Sequence, residues 1–130
     1  MRESYLQEAV IQWCQLSLRK NVVYWSTPNE RNPKNMGNLM KMGLLGGVAD
    51  LIFISESVLI GLQIVFVELK APKTYKMGKR GNRIIDLKGG TQSDKQKLFQ
   101  ERVEVLGCYY EIVDNLDDFA DIMRRYNLTK

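Results

Sequence analysis

VFVELKAPK, residues 65–73, decides how the rest of the chain is read. Its β-branched and aromatic start favours a strand, and Pro72 ends the segment. Side chains alternate between the faces of a strand. Glu68 and Lys70 therefore share a face with Ile64 and Phe66, while Val65, Val67 and Leu69 take the other. Both faces are apolar, as in a strand covered on both sides, yet one of them ends in an acid and a base. Upstream, Asp50 opens DLIFI, residues 50–54, another stretch with no polar side chain after its first residue. Ser55–Ser57 read as a turn, and Val58 to Lys70 as the long second strand. A short turn makes the two antiparallel, so the start of the first lies beside the end of the second. Paired strands sit about 4.8 Å apart, which brings Asp50 and Glu68 together at one edge of a covered sheet.

Two ionised carboxylates that close repel by about 4 kcal/mol at 4 Å in an effective dielectric near 20. Such a pair must protonate or find a cation. Lys70 supplies one positive charge. A divalent ion supplies two, and ligands that are all oxygen suit Mg²⁺ or Mn²⁺, with the Leu69 carbonyl as a further oxygen. A metal held there faces a phosphate and acidifies a bound water. An E-x-K tripeptide taken alone reads as a surface ion pair at a strand end. The Gly47-to-Asp50 step, the strands apolar on both faces and the basic stretch after Lys70 turn the reading towards chemistry.

The chain has 130 residues, 45% hydrophobic and 26% charged, which suits one globular α/β domain over 1–130. It contains no histidine. That excludes histidine triads, cysteine–histidine pairs and histidine zinc sites, and leaves carboxylates, lysine, tyrosine, cysteine or an oxygen-held metal. Cys14 and Cys108 lack metal-type spacing and read as buried thiols of an intracellular protein. No apolar run reaches membrane-spanning length, and the acids and glutamines of MRESYLQEAVIQW do not make a secretion signal. The net charge of +4 is concentrated. Lys70, Lys73, Lys76, Lys79, Arg80, Arg83 and Lys88 stand against Asp86 alone between residues 70 and 88. This block reads either as a solvated loop or as the contact for a polyanion, DNA backbone above all.

Periodicity places a helix from Glu3 to about Lys20 with Leu6, Val10, Trp13 and Leu16 or Ser17 inward, and a strand at Val22–Trp25. Residues 29–47 read as an Asn- and Gly-rich loop, with a helical turn near Asn38–Met42 and a turn at Gly46-Gly47 that needs φ > 0 or close backbone approach. The polar, glycine-rich stretch through residue 90 reads as a mobile basic loop. Ser93 and Gln96 form a capping-box pattern ahead of Leu98, Phe99, Val103, Val105 and Leu106, and Gly107 stops that helix. CYYEIV, residues 108–113, reads as a strand, and Asp114 or Asn115 caps a last helix through Arg125.

GGVADLIFI, VFVELKAPK and SDKQKLFQERVEVLG, in this order and spacing, resemble the virus-type replication-repair nuclease (VRR-NUC) branch of the PD-(D/E)XK nucleases over nearly the whole chain. The resemblance implies a restriction-endonuclease-like core, a central mixed β-sheet flanked by helices. It makes Asp50 and Glu68 metal ligands with the Leu69 carbonyl, Lys70 the catalytic lysine, and Gln96 the glutamine that supports lysine and water. Glu3, with Gln7 one turn on, corresponds to the first-helix acid of the metal site. Gln96 is equally a capping-box partner, Glu3 equally a first-turn acid, and Glu8 the alternative acid. Ala49 stands where the motif carries proline, which stiffens the turn and ligates nothing. The implied activity is Mg²⁺- or Mn²⁺-dependent cleavage of branched DNA such as four-way junctions by a homodimer, in a phage or bacterial setting. Cleavage of linear, flap or single-stranded DNA, a catalytically silent nucleic-acid-binding module, and a structural subunit with an acidic protein partner remain alternatives.

Overall fold

The computed structural model describes residues 3–27, 41–43, 45–71, 74–79, 83–87 and 90–130, with backbone only for residues 3, 4, 74–77 and 83–87. Its elements run α1 (Glu3–Ser17), β1 (Val23–Ser26), β2 (Leu51–Ser57), β3 (Gly61–Leu69), β4 (Thr74–Met77), β5 (Arg83–Leu87), α2 (Asp94–Val105), β6 (Tyr109–Val113) and α3 (Leu116–Arg125). The fold is α/β, with a mixed four-stranded sheet in the order β1-β2-β3-β6. The chain divides into two compact units, one of Val22–Glu68 and Gln92–Glu111, the other of Met1–Asn21, Leu69–Thr91 and Ile112–Lys130.

In the first unit, β2 and β3 are antiparallel from Leu51↔Val67 to Ser57↔Gly61, and β1 pairs with β2 from Val23↔Ile54 to Ser26↔Leu51. The period-2 pattern resolves into one fully buried face, carrying Leu51, Phe53, Val65 and Val67, and one half-buried face carrying Ile52, Ile54, Ile64 and Phe66. The expected turn at Ser55–Ser57 and the strand start at Val58 are corrected. Strand β2 runs through Ser57, the turn is Val58–Ile60, and Gly61 takes φ +80° as β3 begins. Val58 and Leu59 are fully exposed there, so their β-branched and aliphatic character gave a false strand signal. A second cluster joins Ala49, Phe99, Val103 and Tyr110, with Val48, Phe66 and Cys108 against it.

Helix α2 starts and ends as its sequence predicts. The Ser93 side chain accepts from the Gln96 N–H, the Gln96 side chain accepts from the Ser93 N–H, and Gly107 at φ +95° turns the chain out. Only Phe99 and Val103 of the expected apolar positions are buried, while Leu98, Val105 and Leu106 are exposed.

In the second unit, the inward stripe of α1 is Leu6, Val10 and Cys14 at four-residue spacing, continued just beyond the helix by buried Leu18. Leu16 is exposed, and Trp13 is half-buried, edge-on to Phe119 of α3 at 5.6 Å between centroids. The helix ends at Ser17, because the chain beyond bridges to the C-terminal segment: Leu18 pairs with Thr129, and Lys130 N–H donates to the Ser17 carbonyl at 3.0 Å. Asn115 caps α3, which buries Phe119, Ala120, Ile122 and Met123. The mobile basic loop is also corrected. Strands β4 and β5 pair antiparallel from Thr74↔Leu87 to Met77↔Arg83, with a bulge at Thr74/Tyr75. The helical turn expected near Asn38–Met42 lies mostly outside the described residues. Among the described residues, no helix is long and apolar enough to cross a membrane.

Candidate active site

Asp50 and Glu68 sit where the β2–β3 register leaves them. Leu51 lies opposite Val67 at one end of the β2–β3 ladder; Asp50 directly precedes Leu51, and Glu68 directly follows Val67. Within β3, alternation puts Glu68 on the face that carries Phe66. Glu68 has no exposed surface and Asp50 retains 8%. A carboxylate in such a place requires donors or a cation around it.

Donors to Glu68 come from two directions. The Tyr110 hydroxyl donates to Glu68 Oε1. The Gln92 amide donates to the same oxygen at 3.2 Å and to Gln100 Oε1 at 2.9 Å. The Tyr110 ring is itself held by packing, stacked on Phe66 at 6.5 Å and inclined to Phe99 at 6.2 Å. Burial raises the Tyr110 pKa above the usual phenol range, and the hydrogen bond to Glu68 and its charge raise it further. The charge of Asp50 adds to the same effect, so both carboxylates act on one hydroxyl.

Asp50 is placed by Thr27. The Thr27 N–H donates to the Asp50 carbonyl at 2.9 Å, and its hydroxyl donates to the Ala49 carbonyl at 2.6 Å. These bonds restrain the backbone at Ala49 and Asp50. Gly47 adds a second restraint: at φ +80° it passes so close to α2 that a Cβ would lie 2.5 Å from the Lys95 carbonyl oxygen.

The other predicted residues fall as follows. Leu69 and Lys70 belong to the second unit, where the Lys70 N–H donates to the Val113 carbonyl at 2.9 Å. The Lys70 stem runs along Gly90, whose missing Cβ would come 3.2 Å from Lys70 Cδ. Gln96 Oε1 accepts from the Ser93 N–H at 2.8 Å, its capping-box role. Glu8 is exposed, and Lys79 is exposed in the turn between β4 and β5. The side chains of Glu3, Lys76 and Arg83 and the whole of Lys73, Arg80 and Lys88 lie outside the described residues. Tyr110, Gln92, Gln100 and Thr27 escaped the sequence reading. Tyr110 had only its place in a strand pattern as a signal, and neither glutamine stands at a motif spacing from Glu68.

Carboxylate oxygens such as those of Asp50 and Glu68 are the ligand type that hard divalent cations take. Among the described residues no group of three or more His, Cys, Asp or Glu gathers to hold a metal. A two-carboxylate arrangement is the Mg²⁺ pattern, in which waters and substrate phosphate complete the coordination.

No family model matches the sequence, and no curated protein does. A solved structure described as a VRR_NUC domain protein superposes with a TM-score of 0.68, at 17% identity, over 98% of this chain and 88% of that one. What the likeness shows is the fold: this chain is built like a VRR_NUC domain protein.

Proposed function

We propose that the protein is a metal-dependent endonuclease that hydrolyses phosphodiester bonds in branched DNA, four-way junctions in particular. The observation that carries the reading is two buried carboxylates, Asp50 just ahead of β2 and Glu68 within β3, in a VRR_NUC-like fold. Asp50, Glu68 and the Leu69 carbonyl would hold Mg²⁺ or Mn²⁺, and Glu3 would add the first-helix acid. The ion, when bound, polarises the phosphate and lowers the pKa of a water beside it. Lys70, two residues beyond Glu68 in the chain, offsets the negative charge that develops on the phosphate oxygens. Gln96 supports lysine and water through its amide. Lys73, Lys76, Lys79, Arg80, Arg83 and Lys88 grip backbone phosphates without reading sequence. A homodimer with two-fold symmetry would present two such centres to two strands, as a junction requires.

The test is a cleavage panel on four-way junction, fork and linear duplex DNA, with Mg²⁺, Mn²⁺, Ca²⁺ and chelator. The expected result is nicking with Mg²⁺ or Mn²⁺, fastest on the junction. Glu68→Ala and Lys70→Ala are expected to abolish cleavage while DNA retention survives. Equal rates on junction and duplex would remove the branched-DNA preference. Unchanged cleavage in either variant would overturn the site. Retention without cleavage by the unaltered protein under every metal would leave a silent nucleic-acid-binding module.

A further inference from the structure

We infer that Tyr110 and Gln92, with Gln100 behind Gln92, form a positioning cradle that orients the Glu68 carboxylate and so sets the affinity of the acid pair for a divalent cation. The inference rests on the reading of Glu68 as a metal ligand and names residues which that reading does not.

A glutamate side chain turns about three bonds, so burial alone does not aim its carboxylate. Here two donors converge on one oxygen, Oε1, from separate elements: the Tyr110 hydroxyl from β6 and the Gln92 amide from the segment leading into α2. Two fixed directions at one oxygen set the plane of the carboxylate. Each donor is in turn prevented from drifting. Tyr110 is 7% exposed and wedged among Phe66 and Phe99. The second amide hydrogen of Gln92 is taken by Gln100 Oε1. The amide orientation of Gln92 follows, since the flipped form would set its one carbonyl oxygen against both Gln100 Oε1 and the Glu68 carboxylate. All four residues lie in one compact unit. Hydrogen bonds that orient a ligand typically govern about 10- to 100-fold in metal affinity. Tyr110 and Gln92 touch the ligand and not the reacting atoms, so they are positioning residues.

The test is Mn²⁺ binding to the full chain without DNA, followed by electron paramagnetic resonance of the unbound ion. The unaltered protein is compared with Glu68→Ala, Tyr110→Phe, Gln92→Ala, Gln100→Ala and Tyr109→Phe, each checked for its unfolding midpoint. Tyr110→Phe and Gln92→Ala are expected to weaken Mn²⁺ binding by about 10- to 100-fold. Gln100→Ala should weaken it less, and Tyr109→Phe, altering a partly exposed neighbour, should leave it unchanged. Cleavage by Tyr110→Phe should recover with excess metal, shifting the concentration needed and not the maximal rate. If Tyr110→Phe fails to fold, half-buried Gln92 carries the test. Loss of binding in Glu68→Ala, with unaltered affinity in both Tyr110→Phe and Gln92→Ala, would overturn the cradle alone. Full-strength binding in Glu68→Ala would overturn the metal reading and the cradle with it.

Discussion

Gly47 and Gly61 share a backbone conformation, φ +80°, in different surroundings. A Cβ on Gly61 would meet open space, whereas one on Gly47 would strike the Lys95 backbone at 2.5 Å. Gly61→Ala therefore carries only the left-handed penalty, about 1–2 kcal/mol. Gly47→Ala adds a clash that only backbone movement relieves, and its loss in urea denaturation should clearly exceed that of Gly61→Ala. Cys14 offers a second contrast at this scale. Burial pushes its thiol from 9.0 to about 12, so the folded protein keeps it protonated while the unfolded chain ionises it first. Below pH 9 both states hold the proton and stability is unaffected; between pH 9 and 12 the unfolded state gains, and stability falls. The unfolding midpoint should drop over that window more steeply than in Cys14→Ala. At pH 8, mass spectrometry after iodoacetamide treatment should find Cys108, which is half-buried, modified before Cys14.

At the scale of elements, α2 joins a structural role to a proposed chemical one in a single residue. Gln96 closes the capping box with Ser93, and its amide is proposed to serve the attacking water. Gln96→Glu separates the two. Glutamate also completes a capping box, so thermal stability should hold, but it lacks the amide donors and cleavage should fall. Ser93→Ala reverses the pattern, with about 1 kcal/mol of stability lost and the glutamine chemistry retained. Equal cleavage by Gln96→Glu and the unaltered protein would leave Gln96 with the cap alone. Both cap residues were legible in the sequence, because a capping box is a local pattern spanning one turn. The β2–β3 turn was not. Val58, Leu59 and Ile60 look like strand residues, and only the pairing of Ser55, Glu56 and Ser57 with Gln63, Leu62 and Gly61 moves the bend past them.

Over the whole molecule, the clearest feature is the imbalance of charge between residues 70 and 88. Within it β4 and β5 pair antiparallel, which sets Lys76 and Arg83 on paired strands. DNA retention should therefore weaken steeply with salt. Lys79→Ala, at the turn, should lower the slope of log K against log salt by about 1 and leave cleavage chemistry at saturating DNA intact. An unchanged slope would mean that Lys79 contacts no phosphate. Neither compact unit is one continuous stretch of chain. A single protease cut therefore cannot release either of them whole.

Legible from the residues alone were the three helices, strands β1, β2, β3 and β6, and the Ser93 cap of α2. Each of these follows from local rules: residue periodicity and one-turn capping patterns. What surrounds Glu68 follows from the packing of distant segments. Tyr110, Gln92 and Gln100 lie 42, 24 and 32 positions further along the chain, and Thr27 lies 22 and 23 positions before the carbonyls it binds. No periodicity links residues at such separations. Strand order and helix packing bring them together, and a buried carboxylate takes its donors from whatever that packing supplies.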